Sequence, residues 1–394
     1  MINVTGPDVF PTADAFPTAD AFPTTAVERL AKTAERDLPT MEQRHRLSDE
    51  TSASIADAGF ARHFVARRFG GTAGSFSSLL AASAAVAETC LSTAWCSTLF
   101  AAHGRLASYL PEQGRQALWG RSPDTLISAA IMPPQGQARP ERGGWRISGR
   151  WEMASGADHA DWLLLSSRTG GPGHPEHRIF AVPRKDWSVL DTWRSLGMRG
   201  TGSNAVEVAQ AFVPAHLSFT LEDVNRPQPS GAARCHRVPY LMVGALMFAT
   251  PIVGAAQGAL DAWCSAAARR GGGGGAPGSG RRAETDRVLA ESSAQIAAAR
   301  LLLERAAQRA DQAEATQLLA AENRRDAVMA VSWCASAADR LFRASGSRVH
   351  QENSPLQRHW RDITTAATHG ALGIEAAAGG YAVAALGPSA PAVD

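Results

Sequence analysis

The stretch LFRASGSRVHQENSPLQRHWRDITTAATHG, residues 341–370, is where the reading starts. It opens on a turn at Ser345, Gly346 and Ser347. Pro355 then starts a helix whose first turns hold Gln357, Arg358, Trp360, Arg361 and Asp362. Proline is favoured at the first helical position, where its missing N–H costs nothing. Arg358 and Arg361, three apart, share a helix face, and Asp362, four after Arg358, can orient it. His369 lies about two turns beyond Asp362. A ring that exchanges a proton near neutral pH thus sits close to a cluster able to hold an anion. The plainer alternative is a charged, solvated helix with an incidental histidine.

Working outward, the flanking sequence is helical: 239–263, 284–313, 316–344 and 355 onward read as four long helices with short connections, the pattern of a bundle. GGGGGAPGSG at 271–280 reads as a flexible loop between the first two. Upstream, from about Pro123, GWRISGRW alternates apolar and polar side chains, and DWLLLSS, RIFAVP and NAVEVAQAFVP are strand-like. Val206 and Val208 share a face. This predicts an antiparallel β unit over 123–217. Before it, AVERLAKTAERDL and DETSASIADAGF read as amphipathic helices, the second started at Ser48-Asp49-Glu50. Alanine-rich runs with Trp95, Phe100 and Tyr109 read as buried helices. The direct repeat PTADAF at 11–22 reads as a flexible arm. The expected division is 1–24 arm, 25–122 helical, 123–237 β and 238–394 helical bundle.

Bulk properties exclude several classes. The 394 residues carry 39 basic and 37 acidic side chains, a net charge of +2, which gives no reason to invoke nucleic acid or a membrane surface. The five cysteines form no CxxC pair and no zinc-spaced cluster, so no metal site is expected, and reduced thiols in a cytoplasm are the simplest reading. No uninterrupted apolar stretch of about 18 residues suggests a membrane span, and the N-terminus lacks a signal-peptide pattern.

Four segments in order carry a resemblance: CLSTAWCSTLFAAHG (90–104), SGRWEMASGADHADW (148–162), DTWRSLGMRGTGSNAVEV (191–208) and NSPLQRHWRDITTAATHG (353–370). Together they resemble the acyl-CoA dehydrogenase superfamily, and more closely its flavin-dependent monooxygenase branch, the oxygenase components of two-component systems. The resemblance runs from about residue 28 to 386. It implies an α+β fold: an N-terminal helical domain, a middle antiparallel β-barrel or sandwich domain, and a C-terminal four-helix bundle. It also implies an enzyme that takes reduced FMN or FAD from a separate flavin reductase. With O2, through a flavin C4a-(hydro)peroxide, it would hydroxylate or N-oxidise a small aromatic or amine substrate. A homotetramer is expected. No GxGxxG dinucleotide fingerprint follows a strand, so the chain should not reduce its own flavin. The dehydrogenase branch often places a carboxylate base in an acid-Gly-Thr motif after the Arg-Asp pair. ITTAATHG stands there instead, with Glu375 nearby but outside the motif. The rivals left open are an acyl-thioester dehydrogenase and a silent ligand-binding scaffold.

The resemblance assigns roles residue by residue. Ser155 would hydrogen-bond the flavin N5, Trp151 would wall the isoalloxazine, and Gly156 would allow close backbone approach. His369 is favoured as base, with near-neutral titration suiting removal of a substrate proton, and His103 as a second contact. Arg199, Thr201, Gly202 and Ser203 form a donor cluster at a turn suited to the flavin or its phosphate, as are Arg358 and Arg361. Each has a plainer alternative: a turn serine, a packed histidine, a turn signal, and arginines tying helices together through Asp362. His159 and His359 are read as structural. Two departures stand out. Ser128-Ala129-Ala130-Ile131 makes an active-site wall less polar than in close relatives. The glycine-rich segment replaces residues that in dehydrogenases grip the FAD pyrophosphate, which points to transient flavin binding.

Overall fold

The computed structural model describes residues 21–170, 176–226, 231–269 and 280–387. Most of the PTADAF repeat, the glycine-rich segment up to residue 279 and Arg270 lie outside them. The N-terminal helices are α1 (Thr24–Arg44), α2 (Asp49–Asp57), α3 (Phe76–Ala87), α4 (Leu91–Ala107) and α5 (Glu112–Trp119). Local chemistry sets their starts. Ser48 and Ser75 accept the backbone N–H of Thr51 and Ser78, capping α2 and α3. Helix α1 buries Val27, Leu30, Ala34 and Met41, a helical stripe, and ends where His45 turns left-handed at φ 56°. Every residue of α4 is buried, which explains its lack of a polar face.

The middle unit holds β1 (Ile127–Ala130), β2 (Gln137–Glu141), β3 (Gly144–Ala154), β4 (Trp162–Thr169), β5 (Glu176–Pro183), β6 (Ser188–Leu190), β7 (Asn204–Pro214) and β8 (Ser218–Thr220). They form two four-stranded sheets, ordered β1-β4-β5-β8 and β2-β3-β7-β6. The sequence-based expectation of a wholly antiparallel unit needs one correction: β1 pairs with β4 in parallel, Ile127 opposite Trp162. After β1 the chain leaves for the second sheet, makes the β2–β3 hairpin there, and returns beside β1 running the same way. The two sheets face one another through large side chains. Trp151 on β3 donates its indole N–H to the Ser166 carbonyl on β4 at 2.7 Å, and Trp145 packs edge-on against Phe180.

The C-terminal helices are α6 (Arg234–Arg237), α7 (Tyr240–Arg269), α8 (Gly280–Gln312), α9 (Gln317–Arg343), α10 (Pro355–Ala367) and α11 (Ile374–Leu386). Helix α10 starts at Pro355 as expected, capped by the Ser354 hydroxyl. Helix α7 is long and apolar enough to cross a membrane by length and composition, but 83% of its apolar window is buried inside the molecule. It is the central core helix, packed on α3, α4, α8, α9 and α10. One apolar core joins α1–α4 to these C-terminal helices. A second fills the β unit and takes in the end of α4 and α5. The candidate site lies along α4, the element that contributes to both.

Candidate active site at the α4, β3 and α10 junction

Helix α4 carries Trp95 and His103 eight residues apart, on one face, about two turns from each other. Trp95 donates its indole N–H to the Ser155 hydroxyl at 3.4 Å. Ser155 follows the end of β3, in the turn completed by Gly156 at φ 72°. Its hydroxyl bonds to that of Ser203 at 2.7 Å, and Ser203 bonds to the Thr201 hydroxyl at 2.7 Å. Thr201 donates to the Met198 carbonyl while sharing the hydroxyl chain, and its own carbonyl takes the Gly156 N–H at 2.8 Å. Three hydroxyls from two loops therefore form one continuous network ending on an indole N–H. From β1, the Ser128 hydroxyl donates to the Ser155 carbonyl at 2.7 Å, which fixes the turn from its other side.

Two histidines adjoin elements tied to this network, His369 at Trp95 and His103 at Ile127, and they differ in tautomer. His103 is buried at 7% exposure, and its Nδ1 lies 2.9 Å from the Ile127 carbonyl. A carbonyl only accepts, so Nδ1 carries the hydrogen and Nε2 holds the free lone pair. His369 packs flat on Phe248, with centroids 4.0 Å apart, and edge-on to Trp95 at 5.7 Å. Its Nδ1 accepts the Ala371 N–H at 3.2 Å, so the hydrogen sits on Nε2. His369 is a donor at its free nitrogen, and His103 is an acceptor. Burial pushes both rings down to about 4, opposed at His103 by the bond to Ile127. Both are neutral at pH 7. Both values fall below the near-neutral titration expected from sequence because burial penalises the charged ring.

Two residues expected at the flavin are engaged by other parts of the chain. Trp151 is fully buried between the sheets, and its N–H is spent on Ser166. A β carbon on Gly136 would come within 2.2 Å of that ring, which shows how tightly it is enclosed. Arg361, 6% exposed, is satisfied by Gln357, the Leu196 carbonyl and Glu42. Its ion-pair partner is thus Glu42 of α1, at 2.9 Å, and not Asp362. Arg199 also reaches Glu42, at 3.4 Å. Arg358 keeps a buried Nη1 with no hydrogen-bond partner among the described residues. Gly202 is left-handed at φ 51°, and an added β carbon would meet Asp158 at 2.8 Å. His159 bonds to the Leu47 carbonyl, and His359 is 3% exposed in the helical core.

The residues sequence reasoning did not assign are Trp95 and Phe248; Ser128 it placed only in an active-site wall. For Trp95 a signal was available: it lies on the same α4 face as His103. A cleft of about 1130 Å³ abuts the same turn, lined by Arg44, Arg46, Asp158, His159, Arg184 and Asn204, but it includes none of His103, Ser155 or His369. It carries as many acids as arginines, counting Asp49, Glu50 and Asp191 against Arg194 with those named, so it is not a cationic site.

The arrangement fits a planar redox cofactor. Trp95, Phe248 and His369 form one aromatic cluster, and Ser155, Ser203 and Thr201 offer hydroxyls that can donate or accept. A side chain at position 156 would clash with Phe100 at 2.7 Å, so the turn there is restricted to glycine.

The acyl-CoA dehydrogenase C-terminal domain model matches residues 246–373. The chain is 30% identical over 359 residues to the flavin-dependent monooxygenase oxygenase subunit HsaA of Rhodococcus jostii RHA1, covering 85% of this chain and 92% of that protein. It is 29% identical over 348 residues to the oxygenase component of an FADH2-dependent resorcinol hydroxylase of Rhizobium sp. MTP-10005, covering 83% and 85%. The structure of XiaF from Streptomyces sp., in complex with FADH2 and glycerol, superposes with TM-score 0.85 at 27% identity, covering 94% of this chain and 96% of that one. By its sequence over most of its length, and by its fold, the chain belongs to the flavin-dependent monooxygenases, as an oxygenase subunit on the acyl-CoA dehydrogenase fold.

Proposed function

We propose that this oxygenase subunit hydroxylates a small phenol-like aromatic, using reduced flavin delivered by a separate reductase. One observation carries the reading: a hydroxyl network ending at Ser155 connects through Trp95 to His369 and through Ser128 to the strand whose Ile127 carbonyl holds His103, one histidine a donor and the other an acceptor at its free nitrogen. When bound, reduced flavin supplies the electrons that activate O2. Ser155, oriented by Ser203 and Trp95, holds the edge of the flavin ring. Ser128 and Gly156 keep that turn in place. His103 accepts the hydrogen bond of the substrate hydroxyl at Nε2 and takes its proton as the ring is attacked, a role for which a neutral imidazole is ready. His369 donates from Nε2 into the same space, and Phe248 and Trp95 exclude water around it. This exchanges the roles expected from sequence, where His369 was favoured as base. Arg358, with its spare buried Nη1, is the candidate for an anionic group of the flavin.

The finer fold reading, a β sandwich feeding a C-terminal four-helix bundle, and the three-part division belong to this proposal, as does a tetrameric assembly. Exposed Leu301 on α8 and exposed Val383 and Leu386 on α11, at 66%, 56% and 87%, favour burial against further copies of the chain.

The test mixes the anaerobic protein with reduced FMN or FADH2 and a panel of phenols, admits O2, and measures hydroxylated product against hydrogen peroxide. Product in proportion to flavin consumed is expected with at least one phenol class. Stoichiometric FAD retained after dialysis, together with oxidation of acyl thioesters, would replace this reading with the dehydrogenase one.

A further inference from the structure

The hydroxyl network has an outside support that the chemistry above does not use. Residues 196–199 form a loop that leads directly into Thr201 and Ser203, and helix α10 holds it at three successive points. Thr365 accepts the Gly197 N–H at 3.1 Å, Asp362 accepts the Met198 N–H at 2.6 Å, and Arg361 donates to the Leu196 carbonyl at 2.7 Å. The backbone of Met198 is left-handed at φ 56°, a conformation costly for a side-chain-bearing residue. A β carbon on Gly197 would lie 2.2 Å from the Arg361 carbonyl, so loop and helix are in direct backbone contact. The Met198 carbonyl in turn takes the Thr201 hydroxyl at 2.9 Å and the Trp193 indole N–H at 2.9 Å. Asp362 is 2% exposed and, among the described residues, forms no ion pair within 4.0 Å. Among the described residues its one hydrogen bond is to the strained Met198 amide.

We propose that Asp362 is a positioning residue for oxygen chemistry: by holding the left-handed Met198 amide it sets Thr201 and Ser203, and through them the Ser155 hydroxyl. The inference rests on the reading of Ser155 as the flavin contact. The carboxylate acts as an acceptor at a fixed place, so an amide of the same shape substitutes for it and a methyl does not.

The experiment compares Asp362→Ala, Asp362→Asn, Ser155→Ala and the Asp362→Ala/Ser155→Ala double variant. Hydrogen exchange of the 197–203 amides reads the clamp with no flavin present. The ratio of hydrogen peroxide to hydroxylated product reads its consequence. Asp362→Ala should speed exchange of these amides by about tenfold or more, since a charge-assisted bond is lost. It should raise the peroxide ratio several-fold with the KM for substrate unchanged, because the substrate contacts are not on this path. Asp362→Asn should return exchange most of the way to wild type. The double variant should leak no more than Ser155→Ala alone, since both act at one hydroxyl. Unaltered exchange in Asp362→Ala would overturn the clamp. Additive leakage in the double variant, or Asp362→Asn as disruptive as alanine, would overturn the route through Ser155. Wild-type coupling in Ser155→Ala would instead remove the flavin reading of Ser155, and with it the proposed consequence, leaving the exchange result to report on the loop alone.

Discussion

Replacing Ser155 by alanine is the most direct probe of the site, and its size can be worked from the geometry. The change removes the 2.7 Å bond to Ser203 and the acceptor of a long, 3.4 Å bond from Trp95. Ser203 keeps Thr201 as a partner, so no hydroxyl is left unsatisfied in the interior. The buried Trp95 N–H, however, loses its acceptor, so the stability cost runs from that of one ordinary hydrogen bond to that of an orphaned polar group, about 1–3 kcal/mol. The functional effect is separate. In the proposed role Ser155 meets the flavin edge, and losing a net 0.5–1.5 kcal/mol there would change the partition of activated oxygen by about twofold to tenfold. The assay is the ratio of hydrogen peroxide to product at fixed reduced flavin, with thermal melting as the control for folding. A ratio unchanged within error in a well-folded Ser155→Ala protein would refute the placement of Ser155 at the flavin. It would take the hydroxyl network out of the site with it.

The tautomers predict unequal histidine variants. His103→Ala should slow hydroxylation by about 10²–10⁴-fold as a lost proton acceptor, whereas His369→Ala, losing a donor, should cost about tenfold or less. The reverse order in single-turnover rates would reinstate His369 as the base. His103 also predicts a pH dependence of stability. Its folded value is depressed from 6.5 to about 4, so only the unfolded chain binds a proton in that window. The stability it contributes is complete above about pH 6.5 and falls by about 3 kcal/mol as pH drops toward 4. Denaturant titrations across this range should show the loss in wild type and a flatter curve in His103→Asn. Trp151→Ala should destabilise the fold by about 3–5 kcal/mol by opening a cavity between the sheets. A variant that melts normally but binds flavin poorly would place Trp151 at the cofactor site.

Much of this protein was legible in the chain itself, and the reason is that local signals are short-range. Pro355 after Ser354, Ser48 before an acidic turn and the alternation in GWRISGRW each specify their element within a few residues, and each element formed where expected. The motifs around His103, Ser155, Thr201 and His369 likewise pointed to one family before any contact was known. Tertiary structure decided what no window of sequence contains. Trp151 lies four residues before Ser155, yet the strand irregularity between Trp151 and Ala154, with Met153 at φ 62°, and the facing sheet direct it to Ser166 and the core. The parallel pairing of β1 with β4 depends on the chain's detour through the second sheet. Glu42, 319 residues from Arg361, takes the ion pair that sequence proximity suggested for Asp362, because helical spacing gives neighbours on one helix but says nothing of a partner arriving from α1. The histidines' roles follow the same logic. Their residue type announces proton chemistry, but which nitrogen is free is set by the Ile127 carbonyl in one case and the Ala371 N–H in the other, and burial sets the charge.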